Sequence, residues 1–475
     1  MGQKQTPGVS SADANAFPAS LAPVATAVAA FVGHTEKVEH HGQSLVGRPW
    51  RITSMAEYEQ VFGAAPTPRF EIRPSAGSPD ESPFVVGGEA WAVRQLDGKE
   101  GGRYLLFPSI RLFFENGGGA CYVVSVGDYQ SDPTREAFEA GIEALASELE
   151  PASLAVPDAV LLTRPECVAV QQAMLRHCGG RMRSRVAILD LWEGWRSEPE
   201  SGCVANFRSA LGDEHLDYAV AYYPWVRATP SQANDPGLEN LAPASRGVLG
   251  ELIEKASGAA CDPALVAASP LFGLIRKAMS DHLNVLPPSG AIAGVYAMVD
   301  SSVGVWHAPA NVSLSGVASP AVNVTSAEQE WLNLDAGGKS INALRSFVGR
   351  GVLVWGARTL NGNSAELRFI HVRRTMIMLE RSCVQALNCF VFEPNTSATW
   401  VTLRGLLEQF LTGMWSAGGL MGAAPEEAFS VQVGLGQTMT PADILDGILR
   451  VTVRVAVARP AEFLEFTIEQ TMQAA

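Results

Sequence analysis

Residues 186–226 read VAILDLWEGWRSEPESGCVANFRSALGDEHLDYAVAYYPWV. Val186–Leu191 and Tyr218–Val226 are β-capable apolar runs, and Val204–Leu211 between them suits a helix. Strand, helix, strand is the repeating unit of a parallel sheet covered by helices. The pattern continues outward. Upstream, Phe138, Ile142, Leu145 and Leu149 mark one helix face, Ala159–Leu162 reads as a short strand, and a helix lies near Glu166–Cys178. Downstream come a helix near Pro263–Met279, a strand at Ile292–Tyr296 and a closing strand at Gly351–Trp355. Residues 120–357 therefore read as one α/β domain.

The flanks differ. Residues 1–20 are small and polar and read as an extended arm. The stretch 21–119 holds a β-capable run at Val24–Val32 and a helix at Met55–Phe62. Its Pro-, Gly- and Ser-rich part, 64–102, reads as a long loop or insertion. In 358–475, Val372, Met376, Leu379, Cys383 and Leu387 share a helix face, and Phe390–Phe392 reads as a strand. Trp400, Leu403, Leu407, Phe410, Leu411 and Met414 form a second stripe, capped by Thr399. Ile448–Val457 then alternates, with Val451, Val453, Val455 and Val457 on one side and Arg450, Thr452 and Arg454 on the other. Phe463–Gln470 alternates again through Leu464, Phe466 and Ile468. This order is that of a separate α+β domain, so the fold class is α/β and α+β multidomain. At 475 residues the chain has room for about three domains.

Charge narrows the partners. The 35 basic and 49 acidic side chains leave −14, which repels nucleic-acid backbones and anionic membrane surfaces. No stretch is long and apolar enough to span a bilayer. Seven scattered cysteines without a CxxC pair read as small buried hydrophobes, not as a zinc or disulfide framework.

Chemical motifs fail one by one. Asp335–Ser340 ends in Gly-Lys-Ser but has Asn333 where a phosphate-wrapping loop needs glycine, so it reads as a turn before a helix around Asn342–Phe347. Gly117–Gly119 precedes a strand, whereas a phosphate loop follows one. There is no GxSxG elbow, and the eight histidines stand in no catalytic or metal-ligand spacing. These readings leave no catalytic residue, cofactor site or metal site.

Several segments, taken in order, carry a resemblance. They are Thr26–Gly33 (TAVAAFVG), Ile52–Ser54, Tyr58–Gly63, Asn116–Val126 (NGGGACYVVSV), Val156–Asp158 and Tyr218–Trp225. The longest is Pro287–Asn311 (PPSGAIAGVYAMVDSSVGVWHAPAN). After it come Asn342–Arg345, Gly349–Thr359 (GRGVLVWGART), His371–Arg374 (HVRR), Phe392–Asn395 (FEPN) and Pro460–Phe463. Together they resemble the tail sheath proteins of contractile phage tails and contractile injection systems. His307 departs from the basic residue expected after Val305-Trp306, and 64–102 lies outside the shared pattern.

The resemblance implies a central subtilisin-like, non-catalytic α/β domain and a C-terminal α+β domain whose terminal strands augment sheets of neighbouring subunits. It implies a structural subunit stacked as hexameric rings around an inner tube protein, contracting to drive the tube through an envelope, without cofactors. Baseplate and tail-terminator or cap proteins would be further partners, with no nucleic acid and no membrane insertion. The particle would be assembled in a bacterial cytoplasm and be a phage tail or phage-tail-like device, released or membrane-anchored. Strand exchange would use Pro7, Gly8 and Val9 of the arm, Val451, Val453 and Val455, and Phe463, Leu464, Phe466 and Ile468. Arg373, Arg374 and Arg404 would attach the tube. The competing reading is an α/β hydrolase or protease with an unrecognised site.

Overall fold

The computed structural model describes residues 21–78, 81–96, 98–229, 235–258, 266–333, 337–460 and 462. The strands of interest, in chain order, are β1 (Ala29–Gly33), β2 (Trp50–Ile52), β3 (Phe70–Pro74), β4 (Ser82–Val86), β5 (Glu89–Gln95), β6 (Cys121–Ser125) and β7 (Ser153–Ala155). They continue with β8 (Val186–Asp190), β9 (Ala219–Tyr223), β10 (Val312–Ser313), β11 (Asn342–Phe347), β12 (Gly351–Trp355), β13 (Phe429–Val433) and β14 (Val451–Val455). The principal helices are α1 (Met55–Phe62), α2 (Leu106–Glu115), α3 (Arg135–Ala144), α4 (Arg164–Leu175), α5 (Cys203–Ala210), α6 (Pro243–Ser257), α7 (Pro270–Leu283), α8 (Ser289–Ser302), α9 (Ile370–Asn388) and α10 (Ser397–Ser416).

One sheet of nine strands has the order β10-β12-β11-β9-β8-β7-β1-β6-β2. Its centre is parallel from β6 through β1, β7, β8 and β9 to β11, and the edges turn antiparallel. β1, β8 and β9 are buried at every position, which is why they are apolar up to the carboxyl-terminal Asp190 of β8: a strand with helices on both faces has no side to leave polar. The sheet crosses the boundary expected at 119/120, because β1 and β2 pair with β6 and so belong to the α/β body.

Several sequence readings are corrected. Ile292–Tyr296 is not a strand but the middle of α8, whose residues Ser289–Ala297 are all buried. A helix that is apolar all round carries no 3.6-residue signal. Asn342–Phe347 is not a helix but β11, and the short strand before α4 is Ser153–Ala155, with Pro157–Leu161 forming a 3-10 turn. Phe390–Phe392 is not a strand; it lies in the turns after α9. The segment 64–102 is no loop. It forms an antiparallel sheet in the order β3-β5-β4, and α6 and α7 pack against it through a satellite core that includes Phe70, Ile72, Val93, Leu249, Phe272 and Met279.

The chain divides into two compact units, with the cut between Ile377 and Met378 inside α9, later than the expected 357/358. The larger unit holds the nine-stranded and satellite sheets. The smaller is built, among the described residues, from 21–24 and Met378–Ala458, and contains the second half of α9, α10, β13 and β14.

Candidate assembly interface

In the smaller unit, α10 buries Leu403, Leu406, Leu407, Phe410, Leu411 and Met414, and β13 packs against this helix. β13 pairs antiparallel with β14, Val431 opposite Val453 and Val433 opposite Val451. Val431 and Val433 are buried. On β14, Val451, Val453 and Val455 are half-buried, while Thr452 and Arg454 are exposed.

The ladder fixes where each backbone group of β14 points. Ala456 donates its N–H to the Ala428 carbonyl (2.8 Å), so this is a hydrogen-bonded pair. Antiparallel pairs alternate, so Arg454 and Thr452 also face β13, whereas Val455, Val453 and Val451 turn their N–H and C=O to the opposite edge. Beyond β14, Met421 donates to Ala456 and Ala458 to Gly419, on the β13 side again. The outer edge of β14 carries no strand among the described residues. The outer edge of β13 is partly closed: Phe429 N–H bonds Pro425, and Arg404 Nη2 donates to the Val433 carbonyl (2.8 Å). Pro7, Gly8, Val9, Phe463, Leu464, Phe466 and Ile468 lie outside the described residues.

The three arginines expected to meet a tube are engaged within the chain. Arg374 and Asp300 form an ion pair at 2.6 Å with both side chains 3% exposed; the guanidinium also reaches the Thr26 carbonyl and lies 4.5 Å over the Tyr296 ring. Arg373 sits 3.6 Å from Asp217 and 3.7 Å over the Tyr218 ring, and is buried. Arg404, half-buried, holds the end of β13 and Gln437. The resemblance assigns Arg373 and Arg374 to the tube, yet both are buried within this chain and their charges need their carboxylates, since a buried unpaired guanidinium is costly.

The α/β body explains the silence of the motifs. In parallel sheets ligands bind outside the carboxyl ends of the strands, where the strand order reverses. Here that crevice is occupied by Asp158. Its carboxylate accepts N–H bonds from His34 (2.9 Å), Leu105 (2.5 Å) and Leu106 (3.1 Å), filling the N-terminus of α2 where an anionic ligand would sit. At the end of β8, buried Asp190 accepts the Ser289 N–H at 3.0 Å, and burial pushes its carboxyl up to about 7. Lys339 is a buried tie, donating to the Arg208 carbonyl (2.8 Å) and pairing with Asp213 (2.9 Å). Burial holds His177 and His371 near 4 and His282 near 3, which leaves them neutral. Among the described residues no three His, Cys, Asp or Glu side chains gather to hold a metal, and no helix is long and apolar enough to cross a membrane.

Known proteins share this architecture. Residues 363–471 match the phage tail sheath C-terminal domain. A tail sheath protein of Vibrio phage KVP40 is 25% identical over 170 residues, 35% of this chain. That match spans only 24% of the phage protein's length. A chain from the cryo-EM structure of the anti-feeding prophage (AFP) helical sheath in the contracted state is 28% identical, with a TM-score of 0.65 over 99% of this chain and 100% of that one. A chain from the PVC sheath complex of an extracellular contractile injection system, also contracted, is 26% identical, with a TM-score of 0.63 over 99% of both chains. A chain of the AFP baseplate is 26% identical, covering 99% of this chain and 100% of that one.

The fold and these likenesses place the chain beside structural proteins of phage tails and phage-tail-like particles. Within that class the chain is similar to tail sheath proteins of the contractile-injection-system kind.

Proposed function

We propose that this chain polymerises as stacked hexameric rings around an inner tube protein, between a baseplate and a cap, and that the lattice shortens to drive the tube through an envelope. The observation that carries this reading is the outer edge of β14, which offers three residues' worth of backbone donors and acceptors, flanked by half-buried valines. A neighbour's extended arm adds there by main-chain hydrogen bonds. The arms are the segment around Pro7–Ser10 and Phe463–Gln470, and the alternation of the latter, with Leu464, Phe466 and Ile468 on one side, suits a half-buried added strand. Such pairing survives hinge motion in the connecting segments, so subunits move far without parting.

No nucleotide is needed: two packings of one lattice differing by a few kcal/mol per subunit store the work. The α/β body serves as a subtilisin-like scaffold whose ligand crevice is closed by Asp158. Tube contact falls to the exposed face of α10, with Val401, Thr402, Gly405 and Glu408, since Arg373, Arg374 and Arg404 have partners inside the chain.

Deleting 463–475 tests the reading. Normal folding with loss of polymer in negative-stain images is expected; polymers of ordinary length from the truncated chain contradict it.

A further inference from the structure

The connection between α9 and α10 holds a side chain at odds with its surroundings. Phe392 is 103% exposed and has a φ of 72°, a left-handed conformation that a bulky residue rarely adopts. Nothing loose explains it. Glu393 N–H bonds the Phe390 carbonyl (3.1 Å), Thr399 Oγ1 donates to Pro394 (2.6 Å), and the Trp400 indole donates to Asn395 Oδ1 (2.7 Å). Asn395 Nδ2 in turn donates to the Ile448 carbonyl (3.1 Å), fastening the loop to the chain three residues before β14. Backbone strain and an aromatic ring in water both disfavour this arrangement in a lone chain, and such outliers mark sites where a partner supplies the compensation.

We propose that Phe392 is an assembly anchor covered by a second copy of this chain. The inference rests on the sheath reading. Three observations select a second copy. The Asn395–Ile448 hydrogen bond fastens the loop to the residues that lead into β14, whose outer edge is where a neighbour's strand is proposed to add. The adjacent Val391 is 59% exposed, and Glu393 is the one charged residue from Ser382 to Ser397, so the partner surface is apolar rather than charged. A knob meeting a different surface of the next copy is a heterologous contact, which repeats into an open helical array instead of closing a dimer. A single buried aromatic commonly dominates such an interface.

The test compares the full-length protein with Phe392→Gly, Phe392→Ala and Phe392→Leu, by thermal melting and by the critical concentration for polymer measured by pelleting. Glycine relieves the left-handed strain, so Phe392→Gly should melt at or above the wild-type temperature while its critical concentration rises at least tenfold. Alanine should raise it similarly and leucine should restore part of it. Variants that polymerise at the wild-type concentration overturn the anchor and leave the sheath reading intact. So do variants that polymerise normally yet release a co-purified tube, since the tube is then the occupant. A wild-type chain that forms no polymer refutes the sheath reading itself.

Discussion

The two sheets of this molecule are finished to different degrees. In the nine-stranded sheet the central strands are buried on both faces and bonded on both sides, and even the ligand crevice is filled by the protein's own Asp158. The β13–β14 sheet has two strands and half-buried valines, and among the described residues no strand lies on either outer edge, with only the β13 edge partly closed by Pro425 and Arg404. A two-stranded sheet is marginal on its own. The contrast separates a body that must keep its shape from a small sheet with capacity left for another chain.

The largest expected effect breaks the body. Arg374→Ala strands Asp300 in a 3% exposed site, and removing one partner of a buried pair costs about 3–5 kcal/mol. A fall in melting temperature of many degrees should be seen by calorimetry, with no comparable loss for Arg454→Ala on exposed β14.

A second prediction also belongs to the body and depends on pH. The folded state raises the Asp190 carboxyl to about 7 from its usual 3.8, so folding favours the protonated form. The resulting penalty is absent below pH ~4, grows as pH rises to ~7 and is complete above that. Asp190→Asn, which keeps an oxygen for the Ser289 N–H, should therefore stabilise the protein by on the order of 3 kcal/mol at pH 8 and by little at pH 4. A stability difference independent of pH would show that this carboxyl does not titrate there.

The third sharpens the contrast inside the small sheet. Thr452 turns its N–H to β13, so Thr452→Pro removes a ladder bond and should cost about 1–3 kcal/mol, read as early melting of the C-terminal unit.

How much of this was legible in sequence follows from the range of each interaction. Val186–Leu191 and Tyr218–Val226 are visible as strands because burial on both faces keeps them apolar except at Asp190, and the Val451–Val455 alternation is visible because one face is wet. α8 was hidden by the same rule: buried at every position from Ser289 to Ala297, it looks like a strand. The strands of 70–95 were hidden by Pro74, Pro83 and their charges, tolerated because this small sheet stands apart with its own core. Arg373 and Arg374 read as surface charges because Asp217 and Asp300, which neutralise them, lie far away in sequence. Phe392 sits in a familiar motif, yet its exposure and φ come from the turns around it, which local apolar content misread as a strand.

The most direct test of the account is assembly of Val453→Pro. Residue 453 turns its N–H away from β13, so proline there spares the intramolecular ladder and removes a donor from the outer edge. Electron microscopy and sedimentation of this variant should show a folded subunit, melting near the wild-type temperature, that no longer forms long polymers. A Val453→Pro protein that builds sheaths of wild-type length would mean that neighbours are not joined at this edge.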